Sequence, residues 1–239
     1  MQHLSEPAIL SPEMIVDWKR ERGVYNFAAL PAKAIIGLTN HIFSQQLPFF
    51  PKRIKGIAGT HFIHGSYVYC SSFGSGAPAL VTLMEELRAL GVKEFIFIGL
   101  CASLTESIVS GEAFYVKQAW SANGITSTYV SEKMIAPYDK QYVKSLVEHL
   151  NLKEATCVST DSPFRETPSF IQEAKSEGCT LIEMECAAAY AFSHFYKLKV
   201  ACLLVVADQT EPSWAAPSDM NLLNRVQQEL VNNIIKSKL

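Results

Sequence analysis

Two stretches of the sequence leave little freedom in how the chain can fold. FIFIGL at 95–100 and VACLLVVA at 200–207 are almost unbroken in apolar residues. The longest such run, FIFIGLCASL, is too short to span a bilayer as a helix. Read as strands, they carry apolar side chains on both faces, so both faces must be covered. An α/β fold does this with helices packed on either side of a sheet.

The rest of the chain agrees. KAIIGL (33–38), YVYCSS (67–72), EFIFIGL (94–100), EAFYVKQA (112–119), EATCVST (154–160) and VACLLVVA (200–207) read as strands, with helical periods between them. Leu80, Leu83, Met84, Leu87 and Leu90 share one helical face, with Pro78 near its start and Gly91 just past its end. Asp139 is placed to cap a helix carrying Tyr142, Val143, Leu146, Val147 and Leu150. Thr167-Pro168 opens another, which Gly178 ends. MECAAAYAFSHFYKL follows, and Ser218 precedes a last helix with Leu222, Leu223, Val226, Leu230 and Ile234. With no repeat, charge block or linker, the expected fold is a single α/β domain over 1–239, a central mixed twisted β-sheet flanked by helices. The segments 121–138 and 208–217 carry no clear pattern, and loops leaving strand ends are where α/β folds bind ligands.

Charge and cysteine content narrow the function classes. Twenty-one basic against 23 acidic side chains leave no electrostatic footprint for nucleic acid or an anionic membrane. Six cysteines without a C-x-x-C pair, most of them inside apolar runs, read as reduced thiols of a cytoplasmic protein. The opening MQHLSEPAIL lacks the basic-then-apolar pattern of a secretion signal, so none is expected.

Several local patterns bear on chemistry. FGSGAP, continuing to Ala79, matches G-x-G-x-x-A, but a dinucleotide site needs an acid at the end of the next strand. That strand ends in Gly99-Leu100-Cys101, so a tight turn with close backbone approach is the better reading. His61 and His64 stand in an expected turn with no acid or cysteine cluster beside them, and no metal site is expected. No G-x-S-x-G nucleophile motif occurs. Asp208 ends the strand ACLLVVAD, where poor solvation raises a carboxyl's pKa and suits it to donate a proton; capping a turn is the plain alternative. In LIEMECAAAY, Glu183 and Glu185 stand at a strand-to-helix junction, where one can satisfy backbone groups while the other faces a ligand.

Together these pieces resemble the nucleoside phosphorylase family of the purine nucleoside and uridine phosphorylase type. The resemblance runs from His3 to Asp208, through G-x-G-x-P, E-E-L-x-x-L-G-V-K, I-G-x-C, and E-M-E-x-A-A, the most specific part. It implies that Met184 packs on a sugar, that Glu185 accepts both hydroxyls of its diol, and that Glu183 supports. It implies that Asp208 protonates a purine as it leaves, that Phe164 stacks on the base, and that Cys101 and Ala102 lie beneath sugar and base. His3 resembles a histidine lent to the sugar by a neighbouring subunit, so a homo-oligomer, at least a dimer, is implied. Nucleoside and phosphate are the implied small-molecule partners, with phosphate a co-substrate and no further cofactor.

The pattern breaks at the phosphate. The family's G-D-P-x-R loop corresponds to GLTNH, which keeps Gly37 but has no arginine, and its R-x-G-[ST]-C is Phe97-Ile98-Gly99-Leu100-Cys101 here. Arg53 is the candidate for an arginine lent by a partner subunit. Phosphorolysis of a nucleoside, its hydrolysis, and nucleoside binding without catalysis are therefore the three expectations.

Overall fold

The computed structural model describes residues 4, 6–45, 52–210, 213–217 and 219–237. In chain order these form α1 (Pro12–Glu21), β1 (Lys33–Gly37), β2 (Lys52–Ile54), β3 (Thr60–His64), β4 (Tyr67–Ser71), α2 (Ala77–Ala89), β5 (Glu94–Ser103), β6 (Ala113–Ala122), β7 (Met134–Ile135), α3 (Lys140–Leu150), β8 (Lys153–Thr160), α4 (Pro168–Ser176), β9 (Leu181–Glu183), α5 (Cys186–Tyr196), β10 (Lys199–Gln209) and α6 (Met220–Ser237). The six expected strands and five expected helices are all present. The polar α1 and the short β2, β3, β7 and β9 are additional, and His61 and His64 fall in β3 instead of a turn.

The strands make one mixed sheet, as expected, but part of it closes on itself. The first half of β5, Glu94 to Ile98, lies between β1 and β10, parallel to both. Once β1 has ended, β9 takes its side of β5 and pairs antiparallel at Ala102 and Ser103. β9 runs parallel to β8, β8 parallel to β6, and β6 antiparallel to β10. Five strands therefore form a ring, and β1, β4, β3 and β2 extend from it as an open arm. The free edge of that arm, β2, is short and carries exposed Lys52 and Arg53, which blunts edge-to-edge pairing.

The two long apolar runs behave as their composition dictates. Along β5, Phe95, Phe97 and Cys101 face a core shared with α2 and α5, while Ile96 and Ile98 face a second core built on α3 and α6. Along β10, Val200, Cys202, Leu204 and Val206 join the first core, and Ala201, Leu203, Val205 and Ala207 the second. This is the period-2 alternation of a strand covered on both sides.

Capping side chains set the helix starts. Asp139 accepts from Tyr142 N–H at 2.8 Å and Thr167 from Phe170 N–H at 3.3 Å. Ser218, the expected cap of α6, lies outside the described residues. Asp219 accepts from Asn221 N–H and Leu222 N–H at 2.8 and 3.1 Å and does that work.

Because Leu204 is fully buried where β10 crosses between β5 and β6, its truncation opens a cavity. Leu204→Ala is expected to cost about 2–5 kcal/mol in urea unfolding. A loss below about 1 kcal/mol would show that the site collapses and that β10 is not the spine of the core.

Candidate active-site cleft

The junction in LIEMECAAAY divides its two acids as chemistry requires. Glu183, the last residue of β9, is 5% exposed. Its Oε2 accepts from the N–H groups of Glu185 and Cys186, at 2.7 and 2.9 Å, and so caps the start of α5. Its Oε1 accepts from Ser159 Oγ and from Cys157 Sγ on β8. Behind it, Ala187, Ala188, Ala189 and Ala191 are fully buried, so α5 sits hard against the sheet and its first turn has no water to satisfy it. Cys157, Glu183 and Cys186 also place their ligand atoms within 4.8 Å of one another. With Glu183 occupied by four donors, that trio reads as the hydrogen-bonded base of the helix.

Glu185, 3% exposed, turns the other way. Its Oε1 accepts from Gly76 N–H at 2.5 Å, joining two segments 109 residues apart. Gly74 and Gly76 both adopt positive φ, +114° and +88°, which side chains disfavour. A Cβ on Gly76 would stand 3.6 Å from Met184 Cε. The G-S-G turn is thus a backbone approach to Met184 and Glu185. Burial, then the charge of Glu183, push the Glu185 carboxyl up to about 7, against the N–H groups of Gly76 and Met184.

At the end of β10 the pairing slips. Val206 pairs with Cys101 and Asp208 with Ala102, so Ala207 is an extra residue and the bulge re-aims Asp208. Gln209 then bridges to Ala215, folding the chain back. This brings Trp214 to Asp208, where the indole Nε1–H donates to Oδ2 at 2.8 Å. The Asp208 carboxyl is half-buried, and its pKa is raised mainly by desolvation, with the indole bond opposing.

Asp208 opens onto a cleft of about 1020 Å³. Leu100, Cys101 and Ala102 line it from β5, Glu183 and Met184 from the β9–α5 junction, and Phe164 and Glu166 from the turn before α4. Phe164 (99% exposed) and Trp214 (66% exposed) stand at this cleft packed on little else. Glu166 has no hydrogen bond or ion pair within the described residues, and burial and the charge of Asp208 raise its pKa to about 7. Among the described residues no Lys, Arg or His lines the cleft.

The structure therefore brings Asp208, Met184, Phe164, Cys101 and Ala102 to one cavity. Glu185 lies directly behind Met184, bonded to Gly76, and is not itself a lining residue. Gly37 and Arg53 are elsewhere. Gly37 ends β1 beneath Ile42, whose Cδ1 stands 2.0 Å from where a Cβ would be, and Arg53 is exposed on β2. Phe97, where the family has an arginine, is buried in the core. His3 lies outside the described residues. His61 and His64, three apart in a strand, point to opposite faces, the first buried and the second exposed. Glu166 and Trp214 were not legible as site residues, because a turn and a fold-back deliver them.

A family model described as the phosphorylase superfamily matches residues 28–236, and the chain belongs to that superfamily. It is 26% identical over 160 residues to a purine nucleoside phosphorylase DeoD-type of Brevibacillus brevis, covering 64% of this chain and 67% of that protein. It is 26% identical over 164 residues to a uridine phosphorylase of Thermococcus kodakarensis, covering 59% and 58%. An uncharacterized protein, R802, of Acanthamoeba polyphaga mimivirus is 24% identical over 159 residues, covering 62% and 64%. The chain thus spans about three-fifths of the length of these last two relatives. In fold it is similar to the purine nucleoside phosphorylase of Toxoplasma gondii solved with immucillin-H, at a TM-score of 0.65 and 19% identity over 88% of this chain and 92% of that one.

The raised Glu185 carboxyl has a consequence for stability. Its contribution is fully present below 4.5, the unfolded value, and is lost as pH rises towards about 7. Glu185→Gln removes that titration. The stability of the native protein relative to this variant is expected to fall across that window in thermal unfolding and to level off above it. A difference that does not change with pH would contradict the assigned burial.

Proposed function

We propose that the chain breaks the N-glycosidic bond of a purine nucleoside, with Asp208 as the proton donor. The observation that carries this reading is a half-buried carboxyl with a raised pKa on the wall of an apolar cleft flanked by Phe164 and Trp214. Exposed rings at a cleft mouth suit a flat heterocycle, which buries their faces. Met184 and Glu185 are assigned to the sugar. A carboxylate has about four lone-pair sites, and the N–H groups of Gly76 and Met184 take up two, so acceptor capacity remains for a diol. Cys101 and Ala102 form the floor. As the bond from C1′ to N9 breaks, its electron pair goes to the base, and the Asp208 proton passes to N7 and neutralises it. Such acid catalysis is worth roughly 10²- to 10⁴-fold.

Membership of the phosphorylase superfamily supports phosphate as the acceptor at C1′ in this reading, giving free base and ribose 1-phosphate, a pentosyl transfer. In this reading Arg53, on an exposed edge strand, serves the phosphate of a neighbouring copy in a homo-oligomer, with His3 lent to the sugar in the same way. One observation favours a second reading. No cationic side chain among the described residues lines the cleft, and Ile42 covers Gly37. A phosphate dianion requires fixed cationic or N–H donors. In the second reading water replaces phosphate, or the nucleoside is bound without reaction.

A panel of nucleosides assayed with and without phosphate distinguishes these. Base released only with phosphate supports phosphorolysis, and release regardless supports hydrolysis. Binding without release supports a binding protein. Where release occurs, Asp208→Asn is expected to lower kcat roughly 10²- to 10⁴-fold with little change in ligand affinity. Equal loss of both would contradict the proton-donor role.

A further inference from the structure

One hydrogen bond ties the acid of this cleft to a residue on the fold-back after β10: the indole Nε1–H of Trp214 donates to Asp208 Oδ2 at 2.8 Å. We propose that Trp214 is the positioning residue of the proton donor. Its N–H holds Oδ2, leaves Oδ1 to carry the proton, and steadies the carboxylate once that proton has left. This rests on the cleft being a nucleoside site with Asp208 as the acid.

The placement of Trp214 supports it. Gln209 and Ala215 exchange backbone hydrogen bonds at 3.4 and 3.0 Å, and Thr210 N–H donates to Ser103 O at 3.0 Å. Gln209 Nε2 donates to Ile108 O at 2.9 Å. The fold-back is thus anchored to the end of β5 and to the loop after it, while the ring of Trp214 stays 66% exposed. A ring so exposed is held by its bond to Asp208 more than by packing. An indole N–H lies in the plane of its ring, so this bond leaves the ring face free to cover a base. A base stacked there lies beside the carboxyl, on the side of Oδ1.

The energetics follow from the proton transfer. As the bond from C1′ to N9 breaks, its electron pair goes to the base, the proton passes from Oδ1 to N7, and Asp208 keeps the negative charge. The indole bond to a neutral carboxyl is an ordinary one. To the carboxylate it is charge-assisted and roughly twice as strong. It therefore stabilises the state after transfer more than the state before, as an interaction must to lower a barrier. Burial raises the proton affinity of Asp208, and the indole bond, then the residue's own backbone N–H, lower it. The other titratable groups bordering the cleft are Glu166 from the turn before α4, Glu183 from β9 and Cys101 from β5. None of them is a cation, so the indole is the side-chain group that balances the new charge.

Trp214→Phe keeps an aromatic face and deletes the donor. In base-release assays across pH, the plateau below the alkaline limb is expected to fall up to about tenfold, the scale of a hydrogen bond to a charged group. The limb itself is expected to move to higher pH, because activity needs protonated Asp208 and the variant holds that proton more tightly. More of the acid is then protonated above the limb, so the two profiles converge there. Nucleoside affinity is expected to change little. A merely structural role lowers the rate equally at every pH. That result, or an unmoved limb, overturns the inference and leaves the nucleoside site standing. A second measurement needs no turnover. The indole N–H resonance of Trp214, one of three tryptophans in the chain, is identified by its loss in Trp214→Phe. It is expected to titrate in the wild type and not in Asp208→Asn. No titration, or one that survives Asp208→Asn, also overturns the inference. If the wild type releases no base from any nucleoside, the proton-donor role falls and this inference with it.

Discussion

The structure depends on the carboxylate of Glu183. It is the meeting point of β8, β9 and α5, holding the side chains of Cys157 and Ser159 and the first N–H groups of the helix. Losing the Ser159 hydroxyl would leave the buried N–H of Ala187, which donates to it, unsatisfied, at a cost of about 1–3 kcal/mol. Through this node the three-residue β9 is pinned against β5, and the five-strand ring closes. Closure brings the end of β5, the start of α5 and the end of β10 to one place. The cleft is a product of that closure, and its floor and walls come from elements far apart in the chain.

Desolvation organises the cleft's chemistry. Asp208, Glu166 and Glu185 all lie in or behind an apolar enclosure, and each has its proton affinity raised by burial first and by a neighbouring acid, where there is one, second. They differ in what offsets this. Asp208 receives an indole N–H, Glu185 receives backbone N–H groups, and Glu166 receives nothing within the described residues. In the proposed reading, Asp208 becomes the proton donor and Glu185 the sugar acceptor. The arm of the sheet that carries Gly37 and Arg53 takes no part in this enclosure.

Much of the fold was legible. The both-face burial of β5 and β10 followed from their composition, and Asp139 and Thr167 announced their helices. What escaped was short or delivered from afar. β9 is only Leu-Ile-Glu, too brief for a period to emerge, and with it the ring escaped too. β3 was hidden because its five residues, Thr60–His64, were read as part of a turn ahead of the next strand. Asp208 could be singled out from its place at the end of a buried strand, and Glu183 and Glu185 from their apolar setting. The bond from Gly76 to Glu185 spans 109 residues and leaves no local trace. The bulge at Ala207 and the fold-back that seats Trp214 arise from pairing between strands, which a linear pattern does not display.

The account makes one cavity serve both halves of a nucleoside, and co-crystallisation with a non-cleavable purine nucleoside analogue tests it most directly. The base is expected between Phe164 and Trp214 with N7 within hydrogen-bond reach of Asp208, and the sugar against Met184 with its diol towards Glu185. Density for the analogue outside this cleft, or a sugar seated away from the β9–α5 junction, would contradict it.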